Sequence, residues 1–112
     1  MNQNDQPKKI TPDQLQAKLD NNEPVQLIDV RDTSMHSAGH IPGSVNLPIK
    51  QIESEAANAL PDKNAPIVCY CGGGTKAGRS AEALKQLGYT DISILPTGLR
   101  GWCGENRPTE TD

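Results

Sequence analysis

Residues 67–76 read Ile67-Val68-Cys69-Tyr70-Cys71-Gly72-Gly73-Gly74-Thr75-Lys76. The first four form the most apolar short run of the chain and are best read as a buried strand. Three glycines follow, and beyond them Ala77, Ala81, Leu84 and Leu87 recur on one helix face, closed by Gly88 in the C-terminal cap position. The passage is thus strand, glycine loop, helix, and the rest of the chain repeats that alternation on both sides of it.

Towards the amino terminus, Ile49, Ile52, Ala56 and Leu60 keep helical spacing between Pro48 and Pro61. Ahead of them, Ser44 to Leu47 reads as a short strand, Gly39-His40-Ile41-Pro42-Gly43 as a turn, and Thr33 to Ala38 as a loop or short helix. Val25 to Val30 is another apolar run, with Asp29, Arg31 and Asp32 at its carboxyl end. Thr11-Pro12-Asp13-Gln14 starts a helix, with Thr as N-cap, Pro in the first turn and Gln completing a capping box, and Leu15 and Leu19 then share a face. Beyond Gly88, Ile92, Ile94 and Leu95 supply a further strand.

Strands alternating with helices at this spacing need crossover connections, which are right-handed and lay parallel strands side by side. The expected fold is α/β, with a small, mostly parallel central sheet of about five strands flanked by helices on both faces. Ligands in such sheets bind beyond the carboxyl ends of the strands, the edge at which Cys71 falls. The domain is expected over residues 10–104. Residues 1–9 and 105–112 are polar, proline-containing and poor in apolar groups, and are expected as flexible tails.

The 112 residues suffice for one compact core and are too few for two ordinary domains. With 34% hydrophobic residues, no Phe, one Trp and two Tyr, that core must come from Ile, Val, Leu and Ala. A net charge of -3 with scattered Lys and Arg gives no basic field, so no nucleic-acid partner is expected. No run is long enough to span a bilayer and residues 1–7 have no apolar signal region, so a cytoplasmic monomer without membrane contact is expected. Three cysteines do not make a disulfide framework, since Cys69 and Cys71 are too close in sequence for an ordinary bridge. With His36 and His40 they match no zinc-ligand spacing either, so neither metal nor cofactor is expected.

Consecutive glycines cost about 0.5 to 1 kcal/mol each in regular structure, so the loop after Cys71 answers another demand. Without Cβ atoms its backbone N–H groups can turn inward and form a concavity for an anion, and the helix starting near Thr75 adds its positive end. A thiol held there ionises more readily, because donors and dipole favour thiolate over thiol. The same cradle stabilises a persulfide, Cys71-S-S⁻. That permits two half-reactions, in which Cys71 takes a sulfane sulfur from a donor and a nucleophilic acceptor then removes it. Cys71 is therefore the expected catalytic residue, with Gly72, Gly73, Gly74, Thr75 and Lys76 binding substrate.

Four segments in order resemble the rhodanese family: Leu27 to Arg31, Gly39 to Pro48, Cys71 to Lys76, and Leu87-Gly88-Tyr89 with Gly98-Leu99-Arg100-Gly101-Trp102. The resemblance covers most of residues 10–103. It implies a small sheet flanked by helices, a cysteine persulfide, and donors such as thiosulfate, polysulfide or a persulfide, with cyanide or a thiol as acceptor. Many family members end the six-residue loop with Arg or Ser where this chain has Lys76, which keeps the charge but not the guanidinium fork. Many also carry Gly-Gly where this chain has Thr97-Gly98. Gly73 stands where a mercaptopyruvate-specific loop has a hydroxyl residue, which leaves thiosulfate as the expected donor.

Other residues have plainer readings. Cys69 is core, Cys103 an incidental thiol in a loop region, and Arg79 a surface residue. His40 packs a turn, and Asp29 and Arg31 pair or hold loops together. Two rival functions remain. A phosphatase loop of the form Cys-X5-Arg requires Arg at position 77, which holds Ala77. A non-catalytic module that binds a partner protein has no use for a nucleophile inside an intact glycine loop.

Overall fold

The structure is a computed structural model that describes residues 7–73 and 75–112. Its elements run β1 (Lys8–Lys9), α1 (Pro12–Asp20), β2 (Gln26–Asp29), α2 (Thr33–Ala38), β3 (Val45–Asn46), a 3-10 turn (Ile49–Gln51), α3 (Ile52–Ala59), β4 (Ile67–Tyr70), α4 (Lys76–Gln86), β5 (Ile92–Ile94) and α5 (Gly98–Gly104). The five strands form one sheet in the order β1-β5-β4-β2-β3. Every pairing is parallel, with Leu27 opposite Val68 and Val68 opposite Ser93 across the central strands.

A strand at the centre of such a sheet is covered on both faces and needs apolar side chains in both directions. β4 meets that demand. Ile67 and Cys69 join Ile28, Val30, Ile52, Ala56, Ala81 and Leu84 in one apolar cluster with α3 and α4. Val68 and Tyr70 join Leu15, Leu27, Ile41, Leu95 and Trp102 in a second cluster on the opposite face, with α1 and α5. With no Phe in the chain, Trp102 and Tyr70 are the largest fully buried side chains.

The helix starting at Thr11 forms as expected: its Oγ accepts the Gln14 amide at 3.1 Å and the Gln14 side chain accepts the Thr11 amide at 2.9 Å. α4 closes where Gly88 predicts, the Gly88 and Tyr89 amides donating to the Lys85 and Leu84 carbonyls.

Three readings differ from the structure. The segment containing Trp102 and Cys103, read as loop, is α5, and Cys103 lies in it, exposed. Lys8–Lys9, within the expected amino-terminal tail, pairs with β5 as the fifth strand, while residues 1–6 lie outside the described residues. Residues 105–112, also expected as a tail, turn back along the domain. The Trp102 indole donates to the Pro108 carbonyl at 2.7 Å, Arg107 pairs with Asp13 and Glu105, and Glu110 forms an antiparallel bridge with His40. The physical reason is that main-chain groups of β1 and of residues 108–112 find partners, which polar side chains do not signal.

Candidate active site

Cys71 directly follows β4, so the strand's carboxyl end delivers it to the sheet edge. The loop beyond it is gripped by the start of α5. The Leu99 amide donates to the Cys71 carbonyl at 2.8 Å and the Arg100 amide to the Gly72 carbonyl at 3.1 Å, using two of the helix's otherwise unpaired N-terminal donors. Those contacts draw two loop carbonyls onto the helix end.

The grip requires close backbone approach. Gly98 adopts φ +60, and a Cβ there would stand 2.5 Å from the Cys71 carbonyl oxygen and 2.6 Å from the Gly73 nitrogen. Only glycine meets both conditions. Gly73 itself takes φ +139, a conformation that side chains rarely adopt. Gly74 lies outside the described residues.

A pocket of about 400 Å³ opens over Cys71, and Gly72, Gly73, Thr75 and Lys76 line it with Arg31, Met35, Arg79 and Arg100. The structure therefore brings together every described residue of the expected site. It also adds three cations that sequence reasoning had left aside, Arg31, Arg79 and Arg100, and the half-exposed thioether of Met35. Among the described residues no carboxylate lines the pocket. Among the described residues Lys76, Arg79 and Arg100 have no ion-pair partner, so a protein of net negative charge holds a locally positive mouth around one thiol. Arg79 follows Lys76 by one helical turn, a spacing that could have signalled a shared face. Arg100 carried no such local signal, because only the docking of α5 brings it to the loop.

Arg31 is held differently. Its guanidinium donates to Asp29 at 2.7 Å and to the Gly39 carbonyl at 2.6 Å, and its amide donates to Asp29 as well. Burial alone would raise the Asp29 carboxyl, but the Arg31 hydrogen bonds, the His36 hydrogen bond and the Arg31 charge outweigh it and hold Asp29 below the usual carboxylate range. Asp29 and Arg31 thus do pair and hold loops together, and Arg31 also forms one wall of the pocket. His40 packs the turn as expected: it is buried, and its Nδ1 lies 2.7 Å from the His36 carbonyl. The Tyr70 hydroxyl accepts the Ile41 amide at 3.0 Å and fixes that turn to β4.

The three thiols have different surroundings. Cys69 is fully buried, and burial pushes its thiol up to about 12, which leaves it protonated and inert. Cys103 is exposed and lines no part of the pocket over Cys71. A second groove, of about 480 Å³, lies at the amino ends of the strands between Lys9, Gln14, Val25 and Ser93, and no cysteine or histidine lines it.

Residues 11–105 match the family described as Rhodanese-like domain. The thiosulfate sulfurtransferase PspE of Escherichia coli is 37% identical over 65 residues, which is 58% of this chain and 62% of that protein. The chain thus spans about three fifths of the length of that curated relative. The crystal structure of the Alr3790 protein from Anabaena superposes with a TM-score of 0.85 at 28% identity, covering 92% of this chain and 82% of that one. An E. coli structure described as rhodanese with anions superposes with a TM-score of 0.68 at 31% identity, covering 79% and 99%.

Proposed function

The chain belongs to the rhodanese-like domain family, and from that premise we propose that it is a sulfurtransferase that moves a sulfane sulfur from thiosulfate to cyanide or a thiol through a persulfide on Cys71. The observation that carries this reading is the single pocket-lining thiol surrounded by Lys76, Arg79 and Arg100 with no carboxylate among the described lining residues. In the first half-reaction the Cys71 thiolate attacks the outer sulfur of thiosulfate, the S–S bond breaks, and sulfite leaves with the bonding electron pair. In the second, cyanide or a thiolate attacks the outer sulfur of Cys71-S-S⁻ and Cys71 leaves as thiolate, so no outside oxidant or reductant is required.

Gly72, Gly73, Gly74, Thr75 and Lys76 form the substrate-binding loop in this proposal. The cations hold the donor's sulfonate and stabilise the departing sulfite, where charge builds up in the transition state. A polysulfide or persulfide donor uses the same thiol and the same field. The protein acts as a cytoplasmic monomer in this reading. Among the described residues no helix is long and apolar enough to cross a membrane.

The test is kinetic. Cys71→Ser, assayed with thiosulfate and cyanide, is expected to lose all sulfur transfer while its circular dichroism spectrum and melting curve stay those of the parent. A variant that still transfers sulfur would remove Cys71 from the reaction.

A further inference from the structure

Away from Cys71, His36 on α2 and His40 just beyond it face each other, their rings stacked with centroids 3.8 Å apart and planes 11° from parallel. Both side chains are buried, at 7% and 3% exposure. Each uses its Nδ1 on an acceptor: His36 lies 2.9 Å from an Asp29 carboxylate oxygen and His40 lies 2.7 Å from the His36 carbonyl. An acceptor at Nδ1 places a proton there in both rings, so in neutral imidazoles the free lone pair sits on Nε2. Both Nε2 atoms lie beside carboxylates of the carboxyl-terminal segment. His36 Nε2 is 3.9 Å from Asp112, and His40 Nε2 is 3.8 Å from Asp112 and 3.4 Å from Glu110.

The two buried imidazoles thus turn their remaining ring nitrogens towards one shared set of carboxylates. The ligand atoms of His36, His40 and Asp112 all lie within 4.8 Å of one another. We infer that His36 Nε2, His40 Nε2 and an Asp112 carboxylate oxygen form a site for a divalent transition cation of the zinc class, with water completing its coordination.

Two imidazoles and one carboxylate match the preference of zinc for nitrogen and oxygen ligands. Asp29 on His36 and the main-chain carbonyl on His40 supply the outer hydrogen bonds that fix ring tautomer and orientation in zinc sites. Ligands about 2.0–2.2 Å from zinc stand about 3.4 Å apart, so binding draws Asp112 inward and splays the ring planes until their lone pairs converge. The exposed Asp112 side chain can make that movement. The bound cation would tie α2 and the turn after it to residues 110–112, whose contacts there are now the His40–Glu110 bridge and the Asp112 amide donating to the Ser37 carbonyl. The expectation of no metal rested on the spacing of the cysteines with His36 and His40, and Asp112 is too distant in sequence to have shown there.

The experiment is a Zn²⁺ titration of the full chain carrying Cys71→Ser and Cys103→Ser, so that neither the pocket thiol nor the exposed thiol competes, followed by calorimetry and by competition with a chromophoric chelator. Saturable binding of one equivalent is expected, weakened by at least about tenfold in both His40→Gln and Asp112→Asn. Co²⁺ in place of Zn²⁺ is expected to give the visible spectrum of a four-coordinate nitrogen and oxygen site. Absence of saturable binding, a site taken by protons only, or an affinity unchanged in either variant overturns the inference. Asp112 is exposed, so Asp112→Asn decides the matter even if His40→Gln fails to fold.

Discussion

Cys69 and Cys71 are two residues apart and both buried. Burial on the α3 and α4 face keeps the Cys69 thiol protonated, with its ionisation pushed up to about 12, whereas Cys71 lines the pocket. Iodoacetamide at neutral pH is therefore expected to label Cys71 and Cys103 and to spare Cys69 until the protein unfolds, and after thiosulfate the label at Cys71 alone is expected to ride on one added sulfur. Peptide mapping checks this, and labelling of Cys69 in the folded protein would count against it. Hydrogen bonds to charged groups contribute roughly 1.5–3 kcal/mol each, so Arg100→Ala and Lys76→Ala are each expected to raise the KM for thiosulfate by about tenfold or more. At this scale the sequence was legible where chemistry is local: Cys71, its glycines and Lys76 are contiguous. Arg100 was not legible, since it is 29 residues beyond Cys71 and arrives only through tertiary docking.

At the scale of elements, the junction between the Cys71 loop and α5 carries the site. Gly98→Ala forces a Cβ against the Cys71 carbonyl and strains φ +60, which costs on the order of 1–3 kcal/mol and displaces the loop. Its thermal midpoint is expected to fall, and sulfur transfer is expected to fall further than the stability loss explains. Parent-like activity in Gly98→Ala would show that the loop does not depend on this contact. Thr11→Ala removes a cap 3.1 Å from the Gln14 amide and should cost about 1 kcal/mol without touching activity. α1 was readable because Thr11, Pro12 and Gln14 spell its start. α5 was not, because Gly98, Gly101 and Gly104 argue against a helix, and burial of Trp102 together with the hydrogen bonds to the Cys71 loop overrides that propensity. β1 escaped for a related reason: two lysines on an edge strand show no apolar alternation.

Over the whole molecule, buried ionisable groups set the pH limits of the fold. Asp29 has its folded ionisation lowered, so its contribution is present above the unfolded carboxylate value near 4 and is lost as pH falls through the lower folded value. Cys69 goes the other way. Its folded value of about 12 lies above the ordinary 9.0, so the neutral thiol stabilises the fold below about pH 9, and that contribution is lost as pH rises towards 12. The loss is on the order of 4 kcal/mol, since one pH unit corresponds to about 1.4 kcal/mol. Denaturant melts across pH are expected to show a plateau at neutral pH with decline on both sides, and Cys69→Ala is expected to flatten the alkaline limb.

All of this centres on a sulfur atom carried by Cys71. The most direct measurement is the intact mass of the protein after incubation with thiosulfate and removal of excess donor, with peptide mapping and a Cys71→Ser control. One added sulfur on the Cys71 peptide, absent from the control and discharged by cyanide as thiocyanate, is the predicted result. An unmodified Cys71 in a protein that nevertheless turns over thiosulfate, or the added sulfur on Cys103 instead, would contradict it.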